Sequence, residues 1–129
     1  DGVHLAQSPT IEDDYAAARK LLGSSMIVGA DAGASRHEAM CLGEAGADYV
    51  AFSGGGTPDP RATRLDLATW WADVFEIPGV ALDVATVDEA EALAATGIDF
   101  VAVRVPAGES PASVRDWAGA MAGALEAAG

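Results

Sequence analysis

Short apolar runs, rich in β-branched and aromatic residues, recur along this chain between longer mixed segments that carry helix-start signals. The runs predict five strands: Val3-His4-Leu5, Met26-Ile27-Val28-Gly29, Tyr49-Val50-Ala51-Phe52, Gly79-Val80-Ala81-Leu82 and Phe100-Val101-Ala102-Val103. Unbroken runs of this kind suit strands covered on both faces. Two of the joints repeat: Gly46-Ala47-Asp48-Tyr49-Val50-Ala51-Phe52 returns as Gly97-Ile98-Asp99-Phe100-Val101-Ala102-Val103. Each reads as a Gly helix stop, an Asp and a buried strand, as where a helix hands the chain to a parallel strand.

The segments between the strands predict helices. Ser35-Arg36-His37-Glu38 and Thr86-Val87-Asp88-Glu89 fit the capping box, a hydroxyl followed three residues later by a carboxylate. Ser110-Pro111 places an N-cap before a proline suited to the first helical position. The segment from Thr10 to Leu22 opens acidic, with Glu12, Asp13 and Asp14 near the positive end of the helix dipole. Strands and helices therefore alternate at intervals of about 20 to 30 residues, as parallel βα units require. The α/β alternatives are a doubly wound sheet and part of a (β/α)8 barrel. No Gly-x-Gly-x-x-Gly turn follows a strand, so the usual dinucleotide fingerprint is missing. Five units cannot close an eight-stranded barrel by themselves.

Composition narrows the picture. The 129 residues, half of them hydrophobic, make one domain with a real core. No apolar stretch approaches the roughly 20 residues of a membrane helix. The chain opens on Asp1 with no basic, apolar leader, which suggests a processed or cropped chain. Its net charge of −13 argues against nucleic acid and an anionic membrane surface as partners. A small phosphorylated ligand stays open, because clustered N–H groups and one Arg can hold an anion inside an acidic protein. The single Cys41 forms no internal disulfide, and a cytoplasmic location is the expectation.

In both candidate folds the chemistry belongs to the loops after the strands, here 6–9, 30–34, 53–61, 83–85 and 104–108. Gly54-Gly55-Gly56 is the most ligand-like stretch, since glycine backbones approach phosphate closely. Thr57 would add a hydroxyl and Arg61 a fixed charge; the alternative is a flexible, proline-flanked loop. Asp31 and Asp83, counted as ends of neighbouring units, and Arg104 could tune a proton-transfer group or bind a metal. The blander alternative is a structural ion pair plugging the barrel mouth. His4 reads as a satisfied core histidine and His37 as solvent-exposed. Met40, Cys41 and Leu42 read as helix packing, with no histidine placed to activate the thiol. Trp70 and Trp71 are expected to cover the outer face of the sheet. No Ser-His-Asp arrangement or zinc spacing stands out.

Asp1-Gly2-Val3-His4-Leu5-Ala6-Gln7 resembles the Asp-Gly-Val-His-Leu-Gly-Gln strand of the thiamine-phosphate synthase and thiazole tautomerase family. Gly46-Ala47-Asp48-Tyr49-Val50, Ile77-Pro78 and Asp99 support the likeness. It covers the whole chain and implies one domain, 1–129, forming strands four to eight of a (β/α)8 TIM barrel. The implied reaction joins an aminopyrimidine diphosphate to a thiazole phosphate, with Mg2+ and loss of pyrophosphate. Gln7 matches the family's glutamine. The family's Mg2+-binding Asp falls on Pro9, and its diphosphate-contacting Ser falls near Asp31. Its Thr-x-Thr-Lys motif falls on Pro58-Asp59-Pro60-Arg61, keeping the cation and losing both hydroxyls.

The family's phosphate-binding Gly-Gly falls on Asp83-Val84, where a carboxylate would repel a phosphate by roughly 1 to 4 kcal/mol at close range. The family's last Ser falls on Val105, and the tautomerase His near Gly33 or Ala34. Two readings follow: an ordinary thiamine-phosphate synthase with unusual ligands, or an impaired or non-catalytic relative that binds a phosphorylated ligand or regulates. Each charge-assisted contact is worth about 1.5 to 3 kcal/mol, so the loss of several favours the second. The unpaired sheet edges of a five-unit piece further predict association, with a second copy or with more barrel units.

Overall fold

The computed structural model describes residues 1–105 and 108–128. Five strands alternate with five helices: β1 (Gly2–Leu5), α1 (Ile11–Leu22), β2 (Ile27–Asp31), α2 (Arg36–Glu44), β3 (Tyr49–Phe52), α3 (Pro60–Val74), β4 (Gly79–Val84), α4 (Val87–Ala94), β5 (Phe100–Val103) and α5 (Pro111–Ala128). All four strand pairings are parallel and the sheet runs in chain order, β1-β2-β3-β4-β5. A doubly wound sheet reverses its order at a switch point. This one does not, and successive helices lean on one another, α1 on α2, α3 on α4 and α4 on α5. The architecture is a curled, open half-barrel of βα units. No described helix is long and apolar enough to cross a membrane.

The start signals act as expected, with informative exceptions. Ser35 accepts from Glu38 N at 3.1 Å and Thr86 from Glu89 N at 3.2 Å. Both boxes close only on one side: Ser35 N donates to Ala32 O, and the Glu89 carboxylate turns inward to Arg64. Asp59 caps α3 by accepting from Ala62 N at 3.1 Å, with Pro60 in the first turn. Pro60 and Arg61, expected in the loop, therefore belong to the helix. Thr10 makes no side-chain cap; its hydroxyl donates to the Asp14 carboxylate instead.

The repeated Gly-x-Asp joint has a definite mechanical role. Asp48, just before β3, accepts from Val28 N at the start of β2 at 2.8 Å. Asp99, just before β5, accepts from Gly79 N at the start of β4 at 2.9 Å. Each Asp thus ties the entry of its own strand to the entry of the preceding one, satisfying a backbone donor outside the ladder. Arg19 reinforces the first joint, 2.7 Å from Asp48. The Val28 N–H first and Arg19 second hold the Asp48 carboxyl below its ordinary range.

Period-two alternation divides the sheet. Val28, Ala30, Val50, Phe52 and Ala81 join Leu42, Leu67, Trp71 and Leu93 of the helices in one core. Trp71 is fully buried and donates to Ile77 O at 2.8 Å, while Trp70 is half-buried beside it. The opposite, concave face carries His4, Ile27, Gly29, Tyr49 and Phe100, as the strand register requires. It is open: Ile27 is 54% and Phe100 62% exposed. His4 is thus a satisfied histidine on the concave face of the described units. Its Nδ1 lies 2.6 Å from the Tyr49 hydroxyl on that exposed face, and the two rings stack. A Cβ on Gly29 would overlap the Tyr49 ring, so glycine is what lets the ring lie across β2.

Candidate functional site

β2 and β4 run further than the apolar runs alone suggested, so Asp31 and Asp83 are strand residues, not loop residues. They also do not end neighbouring units, because β3 lies between β2 and β4. No carboxylate pair forms from them. The tips instead make two separate clusters.

The first cluster gathers at the ends of β1, β2 and β3. Asp31 is 6% exposed, and its Oδ1 accepts from Gly33 N at 2.7 Å and Ser53 N at 3.1 Å. Gly54 N in turn donates to Gly33 O at 3.0 Å. Asp31 is therefore a clamp that fixes one loop to the next, with Oδ1 committed to two backbone N–H groups. Ser53 is the hub. Its N–H goes to Asp31, its carbonyl accepts from Arg64 Nη1 at 2.8 Å, and its hydroxyl donates to Gln7 Oε1 at 3.5 Å. Gly55 N adds a bond to the Ser53 hydroxyl at 3.3 Å. The Gln7 amide lies directly against Gly33, where any Cβ would displace it.

The Gly54–Thr57 stretch is an ordered turn, closed by Thr57 Oγ1 donating to Gly54 O at 2.7 Å. That bond occupies the hydroxyl proton that Thr57 was expected to offer a ligand. Gly56 is exposed with open space around it, and Arg61 is exposed in the first turn of α3. Gln7, Asp31 and the three glycines thus come together, with Thr57 closing the turn.

The second cluster is Asp83 and Arg104, joined at 2.8 Å with side chains 48% and 67% exposed. The expected ion pair is present, with both side chains exposed in these five units. Asp83 has φ 62°, the left-handed region, and lies at a register shift between β4 and β5. Asp enters that region more readily than most L-residues, at a cost glycine escapes. The resemblance placed a family glycine here, and the backbone keeps a glycine-like shape under a carboxylate. Pro106 and Ala107 of the last expected loop lie outside the described residues.

Arg64 and Glu89 were not among the sequence candidates, and Ser53 entered only as the first residue of the 53–61 loop. Arg64 Nε and Nη2 bind Glu89 Oε2 and Oε1 at 2.7 and 2.9 Å, both side chains buried. Positions 64, 67, 68 and 71 form the buried stripe of α3, so an Arg inside that stripe was the available signal. On the outer surface, His37 Nε2 lies 3.7 Å from Cys41 Sγ, which corrects the expectation that no histidine neighbours the thiol. The spacing i, i+4 puts both on one helix face. Met40 is exposed and Cys41 half-buried, so of that trio only Leu42 is full packing.

The donor set can be tested against Mg2+, a hard cation that takes oxygen ligands. Position 9 is a proline without a side-chain oxygen, and Asp31 Oδ1 is taken by two N–H groups. At the position carried over from the family's metal site, the proline offers Mg2+ no side-chain oxygen.

A sequential half-barrel with its polar clusters at the strand carboxyl ends defines a member of the (β/α)-barrel class. The family model described as thiamine monophosphate synthase matches residues 1–106, and the chain belongs to that family. It is 45% identical over 107 residues to the thiamine-phosphate synthase of Rhodospirillum centenum, covering 80% of this chain and 50% of that protein. It is 41% identical over 132 residues to that of Erythrobacter litoralis, covering 96% and 61%. Among solved structures, thiamine phosphate pyrophosphorylase from Pyrococcus furiosus superposes with a TM-score of 0.74 at 26% identity, covering 99% of this chain and 60% of that one. The chain thus spans about half to three fifths of these relatives' length.

Proposed function

We propose that the chain forms strands four to eight of a thiamine-phosphate synthase-like barrel and acts in thiamine biosynthesis in the cytoplasm, with the family reaction impaired or absent. Five of eight units is about three fifths of a barrel, in keeping with the 60% of the Pyrococcus furiosus protein that is covered. Further N-terminal barrel units, or a second copy, would cover the open concave face. The ligand is a small phosphorylated heterocycle of the family type, approaching Gln7, the glycine turn and Arg61.

The observation that carries the impairment is Asp83. It stands where the family's phosphate glycine belongs, in a backbone conformation suited to glycine, with a carboxylate facing solvent beside Arg104. A phosphate arriving there meets a like charge held at the strand tip. Pro9 at the family's Mg2+-ligand position, and a carboxylate at Asp31 where the family has a diphosphate-contacting Ser, support the same reading. A non-catalytic, phosphate-binding or regulatory role is the alternative, favoured by the ordered glycine turn beside Gln7 together with a proline at the metal-ligand position.

The test is pyrophosphate release from the aminopyrimidine diphosphate and thiazole phosphate with Mg2+, using the complete gene product, alongside calorimetric titration of thiazole phosphate. Binding with turnover far below an ordinary enzyme supports the proposal. Turnover at an ordinary enzyme rate overturns the impairment. Failure to bind thiazole phosphate overturns the phosphate-ligand reading.

A further inference from the structure

Glu12 in the first turn of α1 meets His37 and Cys41 of α2 on the outer helical ring. One carboxylate oxygen, one imidazole nitrogen and the thiol sulfur all lie within 4.8 Å of one another. Among the described residues this is the one place where His, Cys, Asp and Glu converge so closely. We propose that Glu12, His37 and Cys41 form a Zn2+ site that staples α1 to α2.

The geometry suits that ion. Zinc holds Cys sulfur at about 2.3 Å and His nitrogen at about 2.0 to 2.1 Å in a tetrahedron, whose S–N edge is therefore about 3.6 Å. The His37 Nε2 to Cys41 Sγ separation is 3.7 Å. The edge is preformed because the two residues sit one helical turn apart on the same helix. Glu12 comes from the neighbouring helix, and a modest side-chain rotation brings its oxygen into the first coordination shell. All three residues are exposed or half-buried, so a water completes the fourth position and the ion has free access.

The donor set, one thiolate, one imidazole and one carboxylate, is borderline in softness and matches zinc better than Mg2+ or Ca2+. Burial first, then Glu12, with Glu44 and Glu38 further off, holds the Cys41 thiol proton on above the ordinary range. These carboxylates also attract a divalent cation. On binding, Cys41 releases its thiol proton to solvent, and His37 binds as the neutral imidazole through Nε2. This site stands apart from the strand tips and does not rest on the proposed phosphate chemistry.

The probe is Co2+ added to the full chain at neutral pH, followed by Zn2+. The expected result is one equivalent of Co2+ bound with a thiolate-to-cobalt charge-transfer band, displaced by Zn2+. Since Cys41 is the only cysteine, the band has one source, and Cys41→Ser abolishes it. His37→Gln weakens Co2+ binding by at least about tenfold, the scale on which even second-shell partners of a metal act. Zn2+ also slows alkylation of Cys41 in the unmodified chain, a readout that needs no variant. No band with Co2+ in excess, an unchanged affinity in His37→Gln, or alkylation indifferent to Zn2+ each overturns the site. Thiazole phosphate binding is measured separately, so failure here leaves the strand-tip reading standing.

Discussion

Arg64 and Glu89 make a two-pronged ion pair, 2.7 and 2.9 Å, buried between α3 and α4, while the same guanidinium holds the Ser53 carbonyl at 2.8 Å. The pair therefore locks two helices together and, through Ser53, fixes the loop that carries the glycine turn. A planar, forked guanidinium meets all three acceptors at once, which Lys could not do.

Removing one partner leaves a buried charge unpaired. Glu89→Ala and Arg64→Ala are each expected to cost about 3 to 5 kcal/mol in stability, read by urea unfolding. Arg64→Lys should fall short of rescue. A loss below about 1 kcal/mol in Arg64→Ala would show that water reaches this pair and that it is not the clamp described.

Asp83 and Arg104 behave differently because they are exposed. Arg104→Ala is expected to change stability by less than about 1 kcal/mol, the usual worth of a surface ion pair. Asp83→Gly removes left-handed strain and a like charge together. It should leave stability within about 1 kcal/mol and tighten thiazole phosphate binding, measured by titration calorimetry. Unchanged or weaker binding in Asp83→Gly would remove the case that this carboxylate excludes phosphate.

The Asp48 joint predicts a pH dependence of defined sign. Its folded carboxyl lies below the ordinary range, chiefly through the Val28 N–H and then Arg19. Such a group contributes stability above its unfolded pKa, about 3.9, which is lost as pH falls through the lower folded value. Asp48→Asn should thus be less stable than the unmodified chain at neutral pH, with the gap closing as acid is added below pH ~4. Parallel stability curves across that range would contradict the assignment.

Much of the scaffold was legible in the chain because its signals are local. The five strands followed from apolar runs, and Ser35, Thr86 and Ser110 marked helix starts that the structure bears out by hydrogen bonds to Glu38, Glu89 and Ser113. The candidate site was legible only by neighbourhood. Gln7 and the glycines were named, yet nothing local said that Asp31 spends its oxygen on Gly33 and Ser53. The pairing of Asp31 with Asp83 failed because unit count along the chain does not give adjacency across a sheet. Cys41 and His37 were each visible, but their contact required reading the i, i+4 spacing as chemistry.

By itself, the sequence determined the order and type of the elements, since helix caps and apolar runs act over a few residues. The repeated Gly-x-Asp joint belongs with these, being a local device for passing from helix to strand. The tertiary structure alone decided what the polar residues do. Whether Asp48, Asp31, Glu89 or Asp83 ties strands, clamps loops, locks helices or faces solvent depends on partners distant in sequence. A carboxylate looks the same in a sequence whether its oxygens meet N–H groups, a guanidinium or water, and only the fold brings those partners within bonding distance.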